Sequence, residues 1–230
     1  MTMRELSGQT VMVLGGTGHL GQAVVERLLA DGAAVVAADA QPATGERRKP
    51  GADYVVVDAL DEASVAAALA ALPGRQLAVV NLIGGYTPGQ PLDDLDVETL
   101  RRQLELNLVS AAIVTKHALP RLAAQGGGAL VHTSSRVATG TGANGFAYSV
   151  GKLGVVRLTE AAAAEGRAQG VRVNCIMPSI IDTPVNRAAM PDADHDRWPK
   201  PAELAAVLAF LVSADATLIS GAAIPVYGRA

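Results

Sequence analysis

Short, continuously apolar runs alternate along this chain with longer stretches in which apolar residues recur every three or four positions. The runs fall at residues 10–14, 33–38, 54–57, 77–83, 129–133, 171–177 and 224–226. Runs without polar alternation predict strands covered on both faces, as in a parallel sheet. Between the first two runs, Leu20, Val24, Leu28 and Leu29 keep helical spacing over residues 18–30. Further helices are predicted over 61–72, 97–124, 148–169 and 202–213. Pro120 is expected to kink the end of the third of these five, and Gly126-Gly127-Gly128 to stop it. Residues 41–51, 136–145 and 179–200 read as loops or irregular chain.

Strand and helix in alternation define the α/β class. The pattern predicts a single Rossmann-type doubly wound domain of about seven parallel strands with helices on both faces. In such a sheet, ligands bind beyond the carboxyl ends of the strands. No linker, internal repeat or composition break divides the 230 residues.

Composition narrows the picture further. Half of the residues are apolar and 18% are charged, below the average of about 25%, which suits a large core and subunit contacts. A net charge of −3 argues against a nucleic-acid partner, and Arg47-Arg48-Lys49 reads as a solvated loop. The apolar runs are too short to cross a membrane. Cys175 is the single cysteine and is expected to be an inert core thiol. Met1 to Glu5 carry no apolar stretch, so a cytoplasmic protein is the expectation.

Two clusters carry chemistry. Gly15-Gly16-Thr17-Gly18-His19-Leu20-Gly21 links the first strand to the first helix. Glycines there permit a tight turn and close approach of a pyrophosphate to the free N–H groups of the helix start. Within this cradle His19 reads chiefly as a surface turn residue. Asp39 closes the second strand, where a carboxylate accepts hydrogen bonds from ribose hydroxyls and repels a 2′-phosphate. NAD(H) is therefore favoured over NADP(H). Arg47 and Arg48 lie well past that strand end.

The second cluster is Ser135, Tyr148 and Lys152. Tyr148 and Lys152 stand one helical turn apart on one face, and Ser135 follows the fifth strand thirteen residues before the tyrosine. Tyrosine donates a proton, a neighbouring ammonium favours the phenolate and lowers its pKa, and serine hydrogen-bonds a carbonyl.

Taken in order, these stations resemble the short-chain dehydrogenase/reductase family over nearly the whole chain. The matching residues include the glycine turn, Asp58 after the third strand and Asn81-Leu82-Ile83-Gly84 after the fourth. They continue with Asn107, Ser135, Tyr148, Lys152, and Asn174 through Pro178 to Thr183. The resemblance implies that Tyr148 is the general acid/base and that Lys152 tunes it and holds the nicotinamide ribose. It implies that Ser135 orients substrate and that Asn107 holds a relay water. Asp58 would contact adenine and Thr183 the carboxamide, with Asn81, Gly84 and Pro178 along the cofactor. Ser134 is then structural. The chain departs from the commoner family pattern at His19, Leu82-Ile83, Ser179 and its carboxyl end.

Gly84-Gly85-Tyr86 and residues 182–198 are further similar to the dihydropteridine reductase branch, which lacks the catalytic serine. The expected activity is hydride transfer between nicotinamide and a carbonyl, alcohol or C=N substrate. Dihydropteridine reduction and a non-catalytic dinucleotide sensor are the alternatives. Residues 179–200 would form a lid over a small-molecule substrate. Within it Trp198 would cap substrate or anchor the lid, and Arg187 and His195 have no assigned part. Asp192, Asp194, His195 and Asp196 read as solvated, so no metal is expected. Ala111, Ala112 and Ala161 to Ala164 permit close helix approach, and the family resemblance implies a homodimer or homotetramer.

Overall fold

The computed structural model describes residues 6–74, 76–140 and 145–229. Met1 to Glu5 and part of the predicted 136–145 loop lie outside the described residues. Seven strands form one parallel sheet: β1 (Gln9–Leu14), β2 (Ala34–Asp39), β3 (Ala52–Val56), β4 (Gln76–Asn81), β5 (Gly128–Thr133), β6 (Val171–Pro178) and β7 (Ala223–Val226). Their order is β3-β2-β1-β4-β5-β6-β7. The order reverses between β1 and β4, so a crevice opens where these two strands end.

Alternate residues of the central strand β1 feed two cores. Val11 and Val13 pack with α1 (His19–Ala30) and α7 (Pro201–Val212) through Val24, Leu28 and Leu208. Met12 and Leu14 face the other layer, formed by α2 (Glu62–Ala70), α4 (Ser110–Ala123) and α5 (Phe146–Gly166). Both faces of the sheet are thus covered, which explains why the strand sequences show no polar alternation.

The predicted helix over 97–124 is interrupted. It begins as α3 (Val97–Leu104), passes through a π turn at Glu105–Val109, and resumes as α4. A single helical period runs through the sequence, but the π turn is set by tertiary bonds of Asn107, described below. The predicted lid is partly helical, containing α6 (Pro184–Ala189), whose first turn is capped by Thr183. Among the described residues no helix is long and apolar enough to cross a membrane. Cys175 is buried, and burial pushes its thiol up to about 11.

Candidate active site

The glycine turn is built by steric necessity. A Cβ on Gly21 would stand 2.1 Å from the Gly15 carbonyl oxygen, and one on Gly16 would stand 2.8 Å from Ala37 Cβ. Gly15 adopts φ +79°. These three residues pack the start of α1 against the ends of β1 and β2. Gly18 differs: an added Cβ would meet only the Gly15 oxygen, at 3.5 Å. No side chain caps the first turn of α1. A helix start left uncapped beside an open glycine turn fits the pyrophosphate of a dinucleotide. His19 and Leu20 open the helix, with His19 exposed.

Asp39 reaches across to the same turn. Its carboxylate accepts from the Thr17 hydroxyl at 2.5 Å and from the Thr17 N–H at 3.3 Å, while its other oxygen accepts from the Ala40 N–H at 2.9 Å. It therefore fixes the turn from the end of β2. Asp58 is exposed and accepts from the Leu60 N–H. Arg48 lies 4.6 Å over the Tyr54 ring and Lys49 pairs with Glu26, so this basic cluster is engaged locally.

Asn81, expected along the cofactor, lies at the end of β4 within the core. Its side chain is 2% exposed, lies 3.2 Å from His132 Nδ1 and accepts from the Ile83 N–H. It acts on the turn after β4 through the backbone, because a buried amide must spend its bonds within the core. His132, which no sequence pattern singled out, is fully buried between Asn81 and Thr115. Asn81 Nδ2 can only donate, so Nδ1 accepts and Nε2 carries the proton to Thr115, whose hydroxyl donates to the Ala111 carbonyl. Burial first, and the Lys152 charge second, lower the His132 pKa to about 3.

The structure brings Ser135, Tyr148, Lys152 and Asn107 together. Ser135 lies close enough to the Tyr148 phenol to pull its pKa down, and its hydroxyl also accepts from the Val137 N–H at 3.4 Å. Lys152 Nζ lies 5.8 Å from the Tyr148 ring centroid and donates to the Thr133 carbonyl at 2.9 Å. Ser134 donates to the Lys152 carbonyl from within the core, a structural part. Gly84 lies between Lys152 and Asn107: a Cβ there would come within 2.5 Å of Lys152 Nζ and 2.7 Å of Asn107 Oδ1. Thr133 Oγ1 is buried without a hydrogen-bond partner, which leaves polar capacity for a ligand beside the lysine. Gly84→Ala is expected to displace Lys152 or Asn107 and to lower turnover about 100-fold, by the cost of misplacing a reacting group by roughly 1 Å. Steady-state kinetics beside a thermal unfolding curve would separate that loss from simple destabilisation.

The electrostatics differ from the sequence expectation in one respect. Burial raises the Tyr148 pKa, Ser135 pulls it down, and neighbouring Tyr86 raises it again. Burial lowers Lys152 to about 8. In the cofactor-free chain desolvation thus outweighs any help from the lysine.

Pro178 ends β6 opposite Val226, and Thr183 caps α6 by accepting from the Asn186 N–H. Trp198 is 6% exposed and lies against His195 with ring centroids 4.6 Å apart, so it is packed within the 179–200 segment. Arg187 pairs with Asp182 at 2.5 and 2.9 Å, and Lys200 meets the same carboxylate at 2.6 Å. These two cations hold the Asp182 carboxyl well below the usual range. No cluster among the described residues has the make-up of a metal site.

Comparison with known proteins adds four findings. The sequence model of a family described as enoyl-(acyl carrier protein) reductase matches residues 17–228. The cis-4-hydroxycyclohexanecarboxylate dehydrogenase of Sinomonas cyclohexanicum is 35% identical, over 98% of both chains. The L-fucose dehydrogenase of Bos taurus is 32% identical over 97% of this chain and 90% of its own. A solved short-chain type dehydrogenase/reductase from Mycobacterium ulcerans superposes with a TM-score of 0.89 at 31% identity, covering 98% of this chain and 90% of its own.

Proposed function

The chain belongs to the short-chain dehydrogenase/reductase family and is an oxidoreductase, and from that premise we propose that it interconverts an alcohol and a carbonyl using NAD(H), with Tyr148 as general acid/base. The observation that carries this reading is the convergence of Tyr148, Ser135, Lys152 and Asn107 at the strand ends beside the glycine turn.

A bound nicotinamide dinucleotide supplies the hydride donor or acceptor. The residues of this chain do the rest. The turn at Gly15 to Gly21, with Leu20 and Thr17, would cradle the pyrophosphate. Asp39 and Asp58 would face the adenosine half, and Gly84, Pro178 and Thr183 the nicotinamide half. With that cofactor bound, an alcohol would give its hydroxyl proton to Tyr148 while its carbinol hydride left for the nicotinamide, and a carbonyl would remain. In reduction both transfers reverse. Ser135 holds the oxygen that gains or loses the proton. Lys152 is ammonium below a pH of about 8, where its charge favours phenolate. Asn107 lies across Gly84 from Lys152, which supports the role of holding a relay water near the lysine.

The presence of Ser135 beside Tyr148 supports alcohol and carbonyl chemistry over pterin reduction, which the sequence resemblance also raised. The assembled side chains weigh against a non-catalytic dinucleotide sensor. Leu153 and Val109 are exposed on α5 and the π turn, which supports a homodimer or homotetramer formed through these helices.

The test is a panel of alcohols with NAD+ and of ketones with NADH, run beside Tyr148→Phe. Turnover lost in the variant supports the reading, and turnover unchanged in it overturns the role of Tyr148. Cofactor choice has its own check. Asp39 should give NADH about a 100-fold advantage in kcat/KM over NADPH, since like charges brought together cost several kcal/mol. Asp39→Asn, which keeps an oxygen for Thr17, is expected to narrow that ratio to within about tenfold. A variant that leaves the ratio unchanged would place cofactor selection elsewhere.

A further inference from the structure

The segment after β4 carries an aromatic ring to the reaction centre by a rigid route. Gly84 holds φ +148°, a conformation that L side chains rarely adopt. A Cβ on Gly85 would come within 2.9 Å of Leu106 Cδ2. Asn107 accepts from the Gly85 N–H at 3.1 Å and donates to the Gly85 carbonyl at 3.0 Å. With both polar groups of Gly85 fixed, the next side chain has little freedom of direction. That side chain, Tyr86, meets Tyr148 edge to face, with ring centroids 5.3 Å apart and planes at 80°. Yet Tyr86 is 64% exposed. A large aromatic surface is therefore held against the proton-transferring phenol and left open.

A cleft of about 250 Å³ adjoins it, with Thr87, Gln90, Asp96, Phe146 and Tyr148 in its walls. The Thr87 hydroxyl accepts from the Gln103 amide at 3.0 Å, leaving its own proton to donate. Asp96 is the one formal charge among the described residues of the wall. It is already bonded to the N–H groups of Glu98 and Thr99 and to the Thr99 hydroxyl, with Arg102 at 3.7 Å. The described lining contains no cation. A carboxylate or phosphate entering this cleft would lose water and find no partner charge.

Resting on the activity proposed above, we infer that Tyr86 and this cleft form the subsite for the body of the substrate, and that the substrate is a neutral ring bearing a second hydroxyl. Tyr86 and Phe146 supply apolar faces for the ring. Thr87 and Gln90 supply hydrogen bonds to the second hydroxyl, and a site built to bond a hydroxyl discriminates strongly against an analogue without one. Tyr86 is a positioning residue: it touches Tyr148 and places the ring, while proton transfer stays with Tyr148.

The experiment compares wild type, Tyr86→Phe and Tyr86→Ala with three substrates, each with NAD+: a cyclohexanediol, 4-hydroxycyclohexanecarboxylate and 2-butanol. Wild type is expected to favour the diol over the carboxylate by about tenfold or more in kcat/KM, the scale of one well-placed hydrogen bond. Tyr86→Ala should raise KM for the diol about tenfold with a smaller change in kcat, and should raise KM for 2-butanol much less than it raises that for the diol. Tyr86→Phe should keep the KM for the diol. Equal losses on ring and acyclic substrates, or a preference for the carboxylate, would overturn the inference. A second readout needs no turnover: saturation-transfer NMR of the diol on NAD+-saturated protein should show ring signals in wild type that vanish in Tyr86→Ala. Ring signals that persist in the variant count against the subsite. Tyr148-independent turnover alongside intact NMR discrimination would instead sink the proposed chemistry and leave the subsite standing.

Discussion

Tyr148→Phe is expected to lower kcat/KM about a thousandfold, within the range of roughly 10²–10⁴ that a positioned acid or base contributes. The substitution removes one oxygen and keeps the ring, so the edge-to-face contact with Tyr86 survives. Fluorescence titration should find the Kd for NADH within about twofold of wild type, because the groups read as holding the cofactor are untouched. The direction of the pH dependence follows from the environment of the phenol. Burial raises the Tyr148 pKa above its ordinary value, so the group is protonated through neutral pH. Reduction needs the phenol and should be flat across neutrality, then fall at alkaline pH. Oxidation needs the phenolate and should rise with pH over the same interval. A cofactor complex whose oxidative rate is flat from neutral to strongly alkaline pH would mean that another group takes the proton.

The other large effect concerns stability. His132 titrates at about 3 in the folded chain, against about 6.5 when unfolded. As pH falls below about 6.5 the unfolded chain takes up a proton that the folded chain refuses, so stability is complete above that value and declines beneath it. The slope is about 1.4 kcal/mol per pH unit, which gives about 2 kcal/mol lost by pH 5 and between 4 and 5 kcal/mol by pH 3. Domains of this kind have about 5–15 kcal/mol in total, so this one side chain makes the fold acid-labile. His132→Gln offers an oxygen to Asn81 and an amide N–H to Thr115 but does not titrate. Urea unfolding from pH 7 to pH 5 should show a shallower decline in the variant by about one proton, whatever its stability at neutral pH. Parallel declines in the two proteins would remove His132 from the account.

The same residue illustrates what the sequence makes legible. The apolar runs located all seven strands, and most clearly the five inner ones, which are buried on both faces and need no partner to be recognised. The edge was read less well: β3 begins at Ala52, two residues before its apolar stretch, and Val56 is 57% exposed. Pairing to β2 decides where that strand starts, and a backbone hydrogen bond leaves no mark in side-chain pattern. The 97–124 helix looked continuous because the residues of a π turn keep helical character, while the bonds from Asn107 to Gly85 span 22 positions. Two features did leave signals. His132 is a polar residue inside an apolar strand, which demands a buried partner. Thr183-Pro184 is a cap followed by a proline in the first turn, which announces α6. At the site, Ser135, Tyr148 and Lys152 were legible from spacing. The bridging of Lys152 and Asn107 across Gly84 was not, since it joins three separate elements.

The π turn at Glu105–Val109 has a consequence for how this helix tolerates change in length. A π turn is in effect one residue inserted into an α-helix and kept. Removing a single residue from it would restore a regular helix in which α3 and α4 keep their facings, because the wide turn already absorbs the extra residue. Val114, Ala118 and Leu122 of α4 would stay packed on the sheet. The loss would be local to the turn itself: the aim of Asn107 at Gly85, and with that the direction of Tyr86. The chain thus carries, in the middle of an otherwise ordinary helix, a stretch where a shortened sequence folds to the same sheet yet loses the support of its reaction centre.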